Sequence, residues 1–436
     1  MTTRVRRAAA YAAVSTLSLG ALAVGPATAI AFGLVAVAAL SITDGPVFEL
    51  FARPADRQVG RLDGLAGFAF AATGLALLSS LLGLPTRAFV ASLLVVGFGN
   101  LAQQAAREYG ADELQRTGAF VLGGLLAAAV GQALVLEIDG PGIAGALPKV
   151  VFLAASGALA AALLRSVLFA RDDPLVLLSV AFLLWLFADL AVAVTVENVA
   201  IAVAVTALFG YVSWALDAAS IPGMLTGMLL AVLTVVLGGY AWFAVLIAFF
   251  GIGSLSTKFR YEDKQARGVA EDNEGARGSG NVLGNAAVAL LAVLAYAAHG
   301  KLPVDGSLFL FAFTGSMAAA MSDTLSSEIG GVFDEPRLIT TFERVEPGTD
   351  GGVTWQGELA GLAGASVVAA LAVALFGDIG LVGGAVIVLA GVGGMTMDSV
   401  LGATVEGDRL GNQGVNFLAT LTGAIVGAAL AALVVA

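Results

Sequence analysis

Long apolar stretches dominate this chain, and shorter polar segments separate them. Each stretch runs for about 17–20 residues, the length that a helix needs to cross the hydrocarbon core of a bilayer. Apolar and polar residues do not alternate as they would in the strands of a membrane barrel. The pattern therefore predicts an all-α, polytopic membrane bundle of about fifteen transmembrane helices. The predicted spans are residues 8–24, 28–43, 64–83, 88–105, 117–136, 150–170, 174–196, 199–216, 222–238, 240–256, 282–298, 307–326, 357–376, 380–398 and 413–436.

Basic residues predict the orientation of these spans. With the N-terminus in the cytoplasm, the cytoplasmic loops collect all but three of the 21 Lys and Arg, the exceptions being Arg87, Lys149 and Lys301. Lys and Arg favour cytoplasmic loops, so this split supports both the spans and their direction. The first apolar run could also serve as a signal peptide, but we expect a retained helix because further spans follow at once. The long polar loops are then all cytoplasmic: 44–63, 106–116, 257–281, 327–356 and 399–412.

Composition excludes several classes of protein. The chain is 59% hydrophobic and 12% charged, against about 25% charged in soluble proteins. Cysteine is absent, which excludes a disulfide framework and a cysteine metal site, and the single histidine, His299, lies in a predicted external loop. A net charge of −11 suggests a halophilic archaeal source and not a cationic partner. No clustered basic face indicates nucleic-acid binding; the expected partners are membrane lipids, and the oligomeric state stays open.

The chain divides into two regions by the polarity of its loops. Residues 1–200 form a membrane-helix region with modest loops, and residues 201–436 carry dense Gly, Asn, Asp and Arg between their spans. The first region is either a degenerate copy of the second or an accessory bundle. A weak similarity links Gly99–Gln104 to Ser322–Ser327, with Asn100 in place of Asp323, and chance in Ala- and Leu-rich helices is the favoured interpretation.

Two carboxylates at the ends of predicted spans are candidates for chemistry. Asp323 lies in the last turn of one span and Asp398 closes another. Charges inside a membrane are costly and usually functional, although a helix-end acid can also simply be solvated. Mg²⁺ is usually held by a few carboxylates beside phosphates. We therefore predict a metal site at Asp323, Asp398 and Glu328; the last lies five residues beyond Asp323, so it reaches the same ligand only if the helix frays, and otherwise it caps the turn.

Three polar loops suit a phosphate. A Gly-rich turn at a helix start presents free N–H groups and the positive end of the helix dipole, while guanidinium and hydroxyl groups add further donors. Arg337 is predicted to act directly on the transferred group. The predicted phosphate- or nucleotide-binding residues are Lys258, Arg260, Arg277, Asn281, Asn285, Thr340, Thr341, Gly351, Gly352, Asn412 and Asn416.

Three blocks of the second region together resemble the membrane family known as domain of unknown function 92, which includes animal transmembrane protein 19 and the plant phytyl-phosphate kinase. The resemblance covers about residues 205–436. The blocks are Thr257-Lys258-Phe-Arg260-Tyr through Asn281-Val-Leu-Gly-Asn285; Ser322-Asp323-Thr-Leu-Ser-Ser-Glu328-Ile-Gly330 with Arg337-Leu-Ile-Thr340-Thr341 and Pro347-Gly-Thr-Asp-Gly-Gly352; and Met397-Asp398-Ser399-Val-Leu-Gly402-Ala-Thr404 with Asn412-Gln-Gly-Val-Asn416.

The resemblance implies a kinase of the cell membrane, active on the cytoplasmic face, that converts an isoprenyl monophosphate, phytyl or geranylgeranyl in type, to its diphosphate. It implies Mg²⁺ and a nucleoside triphosphate, with CTP favoured because the family is distantly similar to phytol and dolichol kinases. The family's Asp-Ser/Thr positions correspond to Asp323-Thr324 and Asp398-Ser399. The first 200 residues depart from the family. Two alternatives remain: a lipid transporter or flippase, and a CTP-dependent lipid cytidylyltransferase.

Overall fold

The computed structural model describes residues 2–168, 173–190, 192–216, 219–268, 278–407 and 409–434. Nearly all of the regular structure is helical, with short 3₁₀ segments at Leu17–Gly20 and His299–Lys301 and a π-helical turn at Thr234–Gly238. The helices are α1 (Thr3–Thr16), α2 (Ala21–Val24), α3 (Ala27–Ser41), α4 (Gly45–Phe51), α5 (Pro54–Val59), α6 (Asp63–Leu81), α7 (Thr86–Glu108), α8 (Glu113–Asp139), α9 (Leu147–Val167), α10 (Asp173–Asp189), α11 (Val196–Ala215), α12 (Ile221–Leu233), α13 (Tyr240–Thr257), α14 (Tyr261–Ala266), α15 (Ser279–Ala297), α16 (Gly306–Gly330), α17 (Trp355–Leu375), α18 (Leu381–Val405) and α19 (Asn412–Val434).

The all-α membrane architecture predicted from the apolar stretches is confirmed. Within the described residues, 13 helices are long and apolar enough to cross a membrane, or up to 14 if the bent pair α3 and α4 forms one span. The predicted number of about fifteen is not confirmed. Of the predicted spans, 28–43 corresponds to α3, which has 15 residues and meets α4 at a bend of 106°. The span at 174–196 corresponds to α10, which has only 17 residues.

Side-chain caps fix where several of these helices begin. At the start of α8, the Asp112 carboxylate accepts from the backbone N–H of Gln115 at 2.8 Å, and the Gln115 side chain accepts from the N–H of Asp112 at 3.1 Å. Asp305 accepts from the N–H of Ser307 before α16, at 2.7 Å. Such caps satisfy N–H groups that a helix start leaves without an intrahelical partner.

The chain separates into two compact units, residues 1–204 and 205–436. In the first unit, α7 packs against α8, α1 and α10. Two arginines share one carboxylate there: Arg53 Nη2 lies 2.7 Å from Asp173 Oδ2, and Arg165 pairs with the other oxygen. Arg165 also donates to Asn100 Oδ1 at 3.2 Å. Asn100 is the residue that the sequence similarity aligns with Asp323, so an arginine lies beside this position in the first unit.

The second unit is assembled around α16. This helix packs against α13, α15, α17, α18 and α19. Glycine lets two of these neighbours approach its backbone closely. A Cβ at Gly361 on α17 would lie 2.9 Å from the Ser322 oxygen, and a Cβ at Gly423 on α19 would lie 2.6 Å from the Gly315 oxygen. Small residues permit such close contact between membrane helices, and here the contact brings the ends of α16, α17 and α18 together.

A short hairpin follows α16. Its strands are β1 (Arg337–Leu338) and β2 (Gly352–Val353), and they pair antiparallel with Arg337 opposite Val353. The N–H of Ile339 donates to the Gly351 oxygen at 3.0 Å and extends this pairing. The hairpin therefore carries the glycine-containing segment after Pro347 back towards the end of α16 and the start of α17.

Candidate active site

A polar cavity of about 390 Å³ lies in the second unit, where α16 and α18 end and α17 and α19 begin. Most of the residues that line it are polar or glycine. They are Gly268, Asp323, Ser326, Ser327, Gly330, Gly331, Phe333, Pro336, Pro347, Gly348, Thr349, Asp350, Gly351, Gly352, Val353, Thr354, Asp398, Ser399, Glu406 and Asn412. A polar chamber at the ends of apolar helices is suited to a ligand with a charged head.

Two carboxyl groups lie close together in the lining of this cavity. Asp323 on α16 and Asp398 on α18 are half-buried and near enough for their charges to interact. Asp398 Oδ1 is buried and has no hydrogen-bond partner among the described residues. Two adjacent acids with a buried oxygen left without a partner make up an incomplete set of ligands for a cation.

Hydrogen bonds of Ser322, the neighbour of Asp323, fix the position of Asp323 relative to Asp398. The hydroxyl of Ser322 donates to the Gly361 oxygen at 2.7 Å and lies 3.3 Å from Met395 Sδ. Ser322 is fully buried, so α16, α17 and α18 are joined immediately beside the acid on α16. The position of Asp323 opposite Asp398 is thus set by helix packing and not by a mobile loop.

The glycine-containing loop covers one wall of the cavity. Gly351 has φ of +74°, and a Cβ at this position would lie 2.6 Å from both the Ser399 oxygen and the Ala403 nitrogen. The N–H of Gly352 donates to the Thr349 oxygen at 2.9 Å. Only glycine combines the left-handed backbone with this close contact to α18. Gly351 and Gly352 therefore line the cavity, where their predicted role requires them.

Two further acids line the cavity. Asp350 is exposed and Glu406, just after α18, is half-buried. Burial, followed by the negative charges of Asp350 and Asp398, raises the pKa of Glu406 above its ordinary value. No Lys, Arg or His is found among the lining residues that the structure describes. The charged side chains that the structure describes in this lining are therefore all acidic.

Two helix N-termini meet beside this acidic wall. A Cβ at Gly280 on α15 would overlap Gln413 Nε2 on α19, so the first turns of the two helices are in contact. Asn412, the first residue of α19, lines the cavity. Its Oδ1 accepts from Asn416 Nδ2 at 3.0 Å. The N–H groups and dipole of a helix start attract anions, so the cavity has a positive end as well as an acidic one.

One of the four predicted asparagines lines the cavity, and the other three do not. Asn285 is buried and its Nδ2 donates to the Asn281 oxygen at 3.0 Å, within α15. Asn281, Asn285 and Asn416 do not line the cavity; Asn412 does. The amides behind the wall therefore stabilise the two helix starts.

The prediction that Glu328 is a metal ligand is wrong. Helix α16 continues to Gly330 without fraying at Ser326, so the five-residue step places Glu328 on a different face of the helix from Asp323. Its Oε2 accepts a hydrogen bond from Lys264 Nζ, in a buried ion pair. Across the described ranges no three His, Asp or Glu side chains converge as metal ligands. Asp323 and Asp398 remain as a two-carboxylate set.

The basic and hydroxyl residues of the predicted phosphate-binding set that the structure describes do not line the cavity. Arg337 is exposed and its Nη1 donates to the Phe342 oxygen at 2.7 Å, within the hairpin. Arg260 Nε donates to Asp263 Oδ2 at 2.5 Å. Three other predicted ligands are exposed and do not line the cavity, and one falls outside the described residues. The exposed three are Lys258, Thr340 and Thr341, and the residue that is not described is Arg277.

Several lining residues were absent from the predicted set. Ser326 lies three residues after Asp323, on the same face of α16, and this helical spacing could have identified it. Thr349 and Asp350 adjoin the predicted glycines. Glu406 follows Asp398 in the loop after the same span, which marks it as a further candidate acid. Thr354 carries no comparable local signal, because its place depends on how the start of α17 packs.

Comparisons with known proteins identify relatives of the second unit of the chain. The family model described as integral membrane protein DUF92 matches residues 204–424. An uncharacterized membrane protein of Methanocaldococcus jannaschii is 40% identical over 194 residues, which cover 43% of this chain and 76% of that protein. The chloroplast protein VTE6 of Arabidopsis thaliana is 34% identical over 212 residues, covering 48% of this chain and 63% of that protein. Protein PGR of the same plant is 34% identical over 227 residues, covering 47% and 78%. No solved structure matches the chain.

Proposed function

Because the chain belongs to the integral membrane protein DUF92 family, whose model matches just over half of it, we propose that it is a membrane-embedded phosphotransferase. The proposed reaction converts an isoprenyl monophosphate, phytyl or geranylgeranyl in type, to the diphosphate with a nucleoside triphosphate as donor. CTP is the favoured donor. This reaction is the one that the resemblance of the three polar blocks to the phytyl-phosphate kinase family implies.

One observation carries the proposal: the acid pair Asp323–Asp398 lies in a polar cavity at the ends of apolar helices. Mg²⁺ is typically held by one or two carboxylates with the remaining ligands from water and substrate phosphates. The pair and the buried, unpartnered Asp398 Oδ1 fit this mode. When bound, the ion would neutralise charge on the phosphates. Since the described wall has no basic side chain, the acids would contact the phosphates through that ion.

The chain's own groups would orient the two substrates. Asn412 and the first turn of α19 would face phosphate oxygens, because free N–H groups point out of a helix start. The loop at Gly351 and Gly352 packs on α18 and would exclude water from that side. Catalysis of phosphoryl transfer rests mainly on positioning and on charge stabilisation. A phosphate acceptor is already ionised, so the reaction requires no strong general base.

The place of the cavity suits an amphiphilic acceptor. It lies at the ends of the apolar helices α16 and α18, so a phosphate held there would leave an isoprenoid tail at the level of the surrounding hydrocarbon. Under the orientation that the basic loops predict, this end faces the cytoplasm of the cell membrane and its nucleotides. A lipid phosphate and a soluble triphosphate can then meet at one interface.

The test is a product assay with purified protein in liposomes. Geranylgeranyl or phytyl monophosphate is supplied with CTP or ATP and Mg²⁺, and the products are separated by mass spectrometry. The expected product is the isoprenyl diphosphate together with the nucleoside diphosphate. A cytidylyl-lipid with release of diphosphate would assign a cytidylyltransferase instead. Neither product, with movement of lipid between leaflets, would assign a transporter.

A matched pair of variants connects the activity to the cavity. Asp323→Asn is expected to abolish product formation, because it removes one of the two neighbouring carboxylates. Asp378→Asn changes an exposed aspartate in the connection between α17 and α18, outside the cavity, and should leave turnover unchanged. Equal turnover by the Asp323 variant and wild type would exclude the proposed role of the acid pair.

A further inference from the structure

Lys264 is the one lysine among the largest fully buried side chains of the described residues, with 2% of its surface exposed. Its ammonium group has three donors, and three acceptors meet it. Nζ donates to the Thr257 oxygen at 2.6 Å, to the Ser256 oxygen at 3.2 Å and to Glu328 Oε2. A buried charge with every donor satisfied joins whatever segments its acceptors belong to.

Three helices meet at this ammonium group. Ser256 and Thr257 end α13, where the last carbonyls of a helix have no intrahelical partner. Lys264 belongs to α14, and Glu328 lies in the last turn of α16. The side chain therefore ties the end of α13 and the segment after it to the helix that carries Asp323.

A second ion pair attaches the same segment to the cavity rim. Arg267 Nη1 lies 2.9 Å from Asp334 Oδ1, just beyond the end of α16. The next residue, Gly268, lines the cavity. The turn into α14 places Arg260 at φ of +47°, a backbone conformation that only surrounding contacts maintain in such a residue. Residues 261–268 are thus tied to α16 and to the segment after it through Lys264 and Arg267.

Glu328 is close enough to Asp323 to act on it electrostatically. Left unpaired, its carboxylate would add another negative charge beside the acid pair. Paired with Lys264, it is neutralised and anchored at the same time. The lysine thus holds the end of α16 in place and removes a charge that would compete with the acid pair for a cation.

We propose that Lys264 is a positioning residue of the phosphotransfer site: through Glu328 it fixes the last turns of α16, and with them Asp323 opposite Asp398, while holding residues 261–268 at the cavity rim. The inference rests on the proposed function. A role in stability alone would be the competing explanation, because removing one member of a buried ion pair destabilises a protein whatever the pair does.

Kinetics of two variants distinguish these explanations. Lys264→Met leaves Glu328 unpaired, whereas Lys264→Met/Glu328→Met replaces both charges by apolar side chains, an exchange that often preserves stability. We expect both to lose about 10- to 100-fold in kcat, as misplaced catalytic groups do, with KM for the lipid phosphate within about twofold of wild type. The double variant should recover the melting temperature but not kcat. Recovery of both would overturn the proposal.

Two further variants test whether a positive charge at position 264 is enough, and whether any change of charge nearby has the same effect. Lys264→Arg retains the positive charge and its donors and should recover part of kcat. Glu262→Gln removes an exposed charge from α14, outside the cavity, and should behave as wild type. A loss of kcat in the Glu262 variant equal to that of Lys264→Met would assign the effect to the general charge of the segment and contradict positioning.

A distance measurement tests the geometry without any reaction. The chain has no cysteine, so Gln265→Cys on α14 and Thr404→Cys on α18, both exposed, can be spin-labelled for pulsed electron resonance. A single narrow distance distribution is expected. Lys264→Met and Lys264→Met/Glu328→Met should broaden it, and Glu262→Gln should not. An unchanged distribution in Lys264→Met would refute positioning. Failure of the product assay with wild type would refute the proposed function and leave this measurement valid.

Discussion

Replacing Asp398 with asparagine should make the protein more stable and less active. The side chain keeps its shape and loses its charge. Two unit charges about 4 Å apart at an effective dielectric constant of about 20 repel each other by about 4 kcal/mol. Asp323 and Asp398 lie close together in half-buried positions, so their repulsion opposes folding when no cation lies between them. The amide that the substitution introduces could instead donate a hydrogen bond to Asp323.

The expected gain in the free energy of unfolding is half of this repulsion of about 4 kcal/mol, because the cavity is open to water. About 2 kcal/mol corresponds to a rise of about 4–8 °C in Tm for a unit of some 200 residues. The assay is thermal unfolding of the detergent-solubilised protein in EDTA, followed by tryptophan fluorescence. Activity should fall by about 10²–10³, the usual effect of removing one electrostatic contact to a transferring group.

In excess Mg²⁺, wild type should become more stable than Asp398→Asn. A ligand at 100 times its Kd stabilises the folded state by about 2.7 kcal/mol, so wild type should gain Tm in excess Mg²⁺ and Asp398→Asn should gain little. Asp378→Asn, in the exposed connection between α17 and α18, should respond to Mg²⁺ as wild type does. A variant that is less stable than wild type in EDTA, or that gains as much from Mg²⁺, would refute the assignment of Asp398 to a cation site.

Three other substitutions test separate parts of the structure. Gly351→Ala should lower Tm and turnover, because the left-handed backbone costs an alanine about 1–2 kcal/mol and its Cβ would meet Ser399; wild-type turnover would contradict the close packing of this loop. Asp305→Ala should lower Tm at neutral pH. Hydrogen bonds from Ser307 lower the pKa of Asp305, so this cap stabilises above pH 3.8 and its contribution disappears as the pH falls through the lowered value; a constant Tm difference at all pH values would exclude it. Arg337→Ala should retain turnover, since its guanidinium bonds to Phe342 inside the hairpin, and a loss above tenfold would return Arg337 to the site.

Most of the fold could be predicted from the apolar stretches, because each helix that crosses a membrane must be apolar along its own length. Helix lengths were less predictable. The polar Ser41–Asp44 region bends the chain between α3 and α4, and α10 ends at Asp189, so the two spans predicted there are shorter than the others. The two compact units meet in the chain at residues 204 and 205, close to the boundary at 200 and 201 that loop polarity predicts. The proposal that the first region is a degenerate copy of the second stays a prediction.

The site was predictable only where a local rule decides a residue's place. Asp323, Asp398, Gly351 and Gly352 line the cavity, and their places follow from helix ends and a tight turn encoded nearby; their roles stay predictions. The place of Glu328 did not follow in this way, because its direction depended on whether α16 frayed. Pairing of β1 with β2 likewise turned Arg337 outward, and no local pattern encodes that pairing. The donor nucleotide, Mg²⁺ and the halophilic source stay predictions.

The charge of the cavity wall has a kinetic consequence. Four carboxylates line the chamber beside the start of α19 at Asn412, so a triphosphate without a cation would be repelled wherever it approaches those acids. The species that binds productively would then be the cation–nucleotide complex. Initial rates should follow the concentration of that complex and not of total nucleotide, and an excess of uncomplexed nucleotide should inhibit mainly by chelation. Raising the salt concentration should relax this selectivity, because it screens the acids that enforce it.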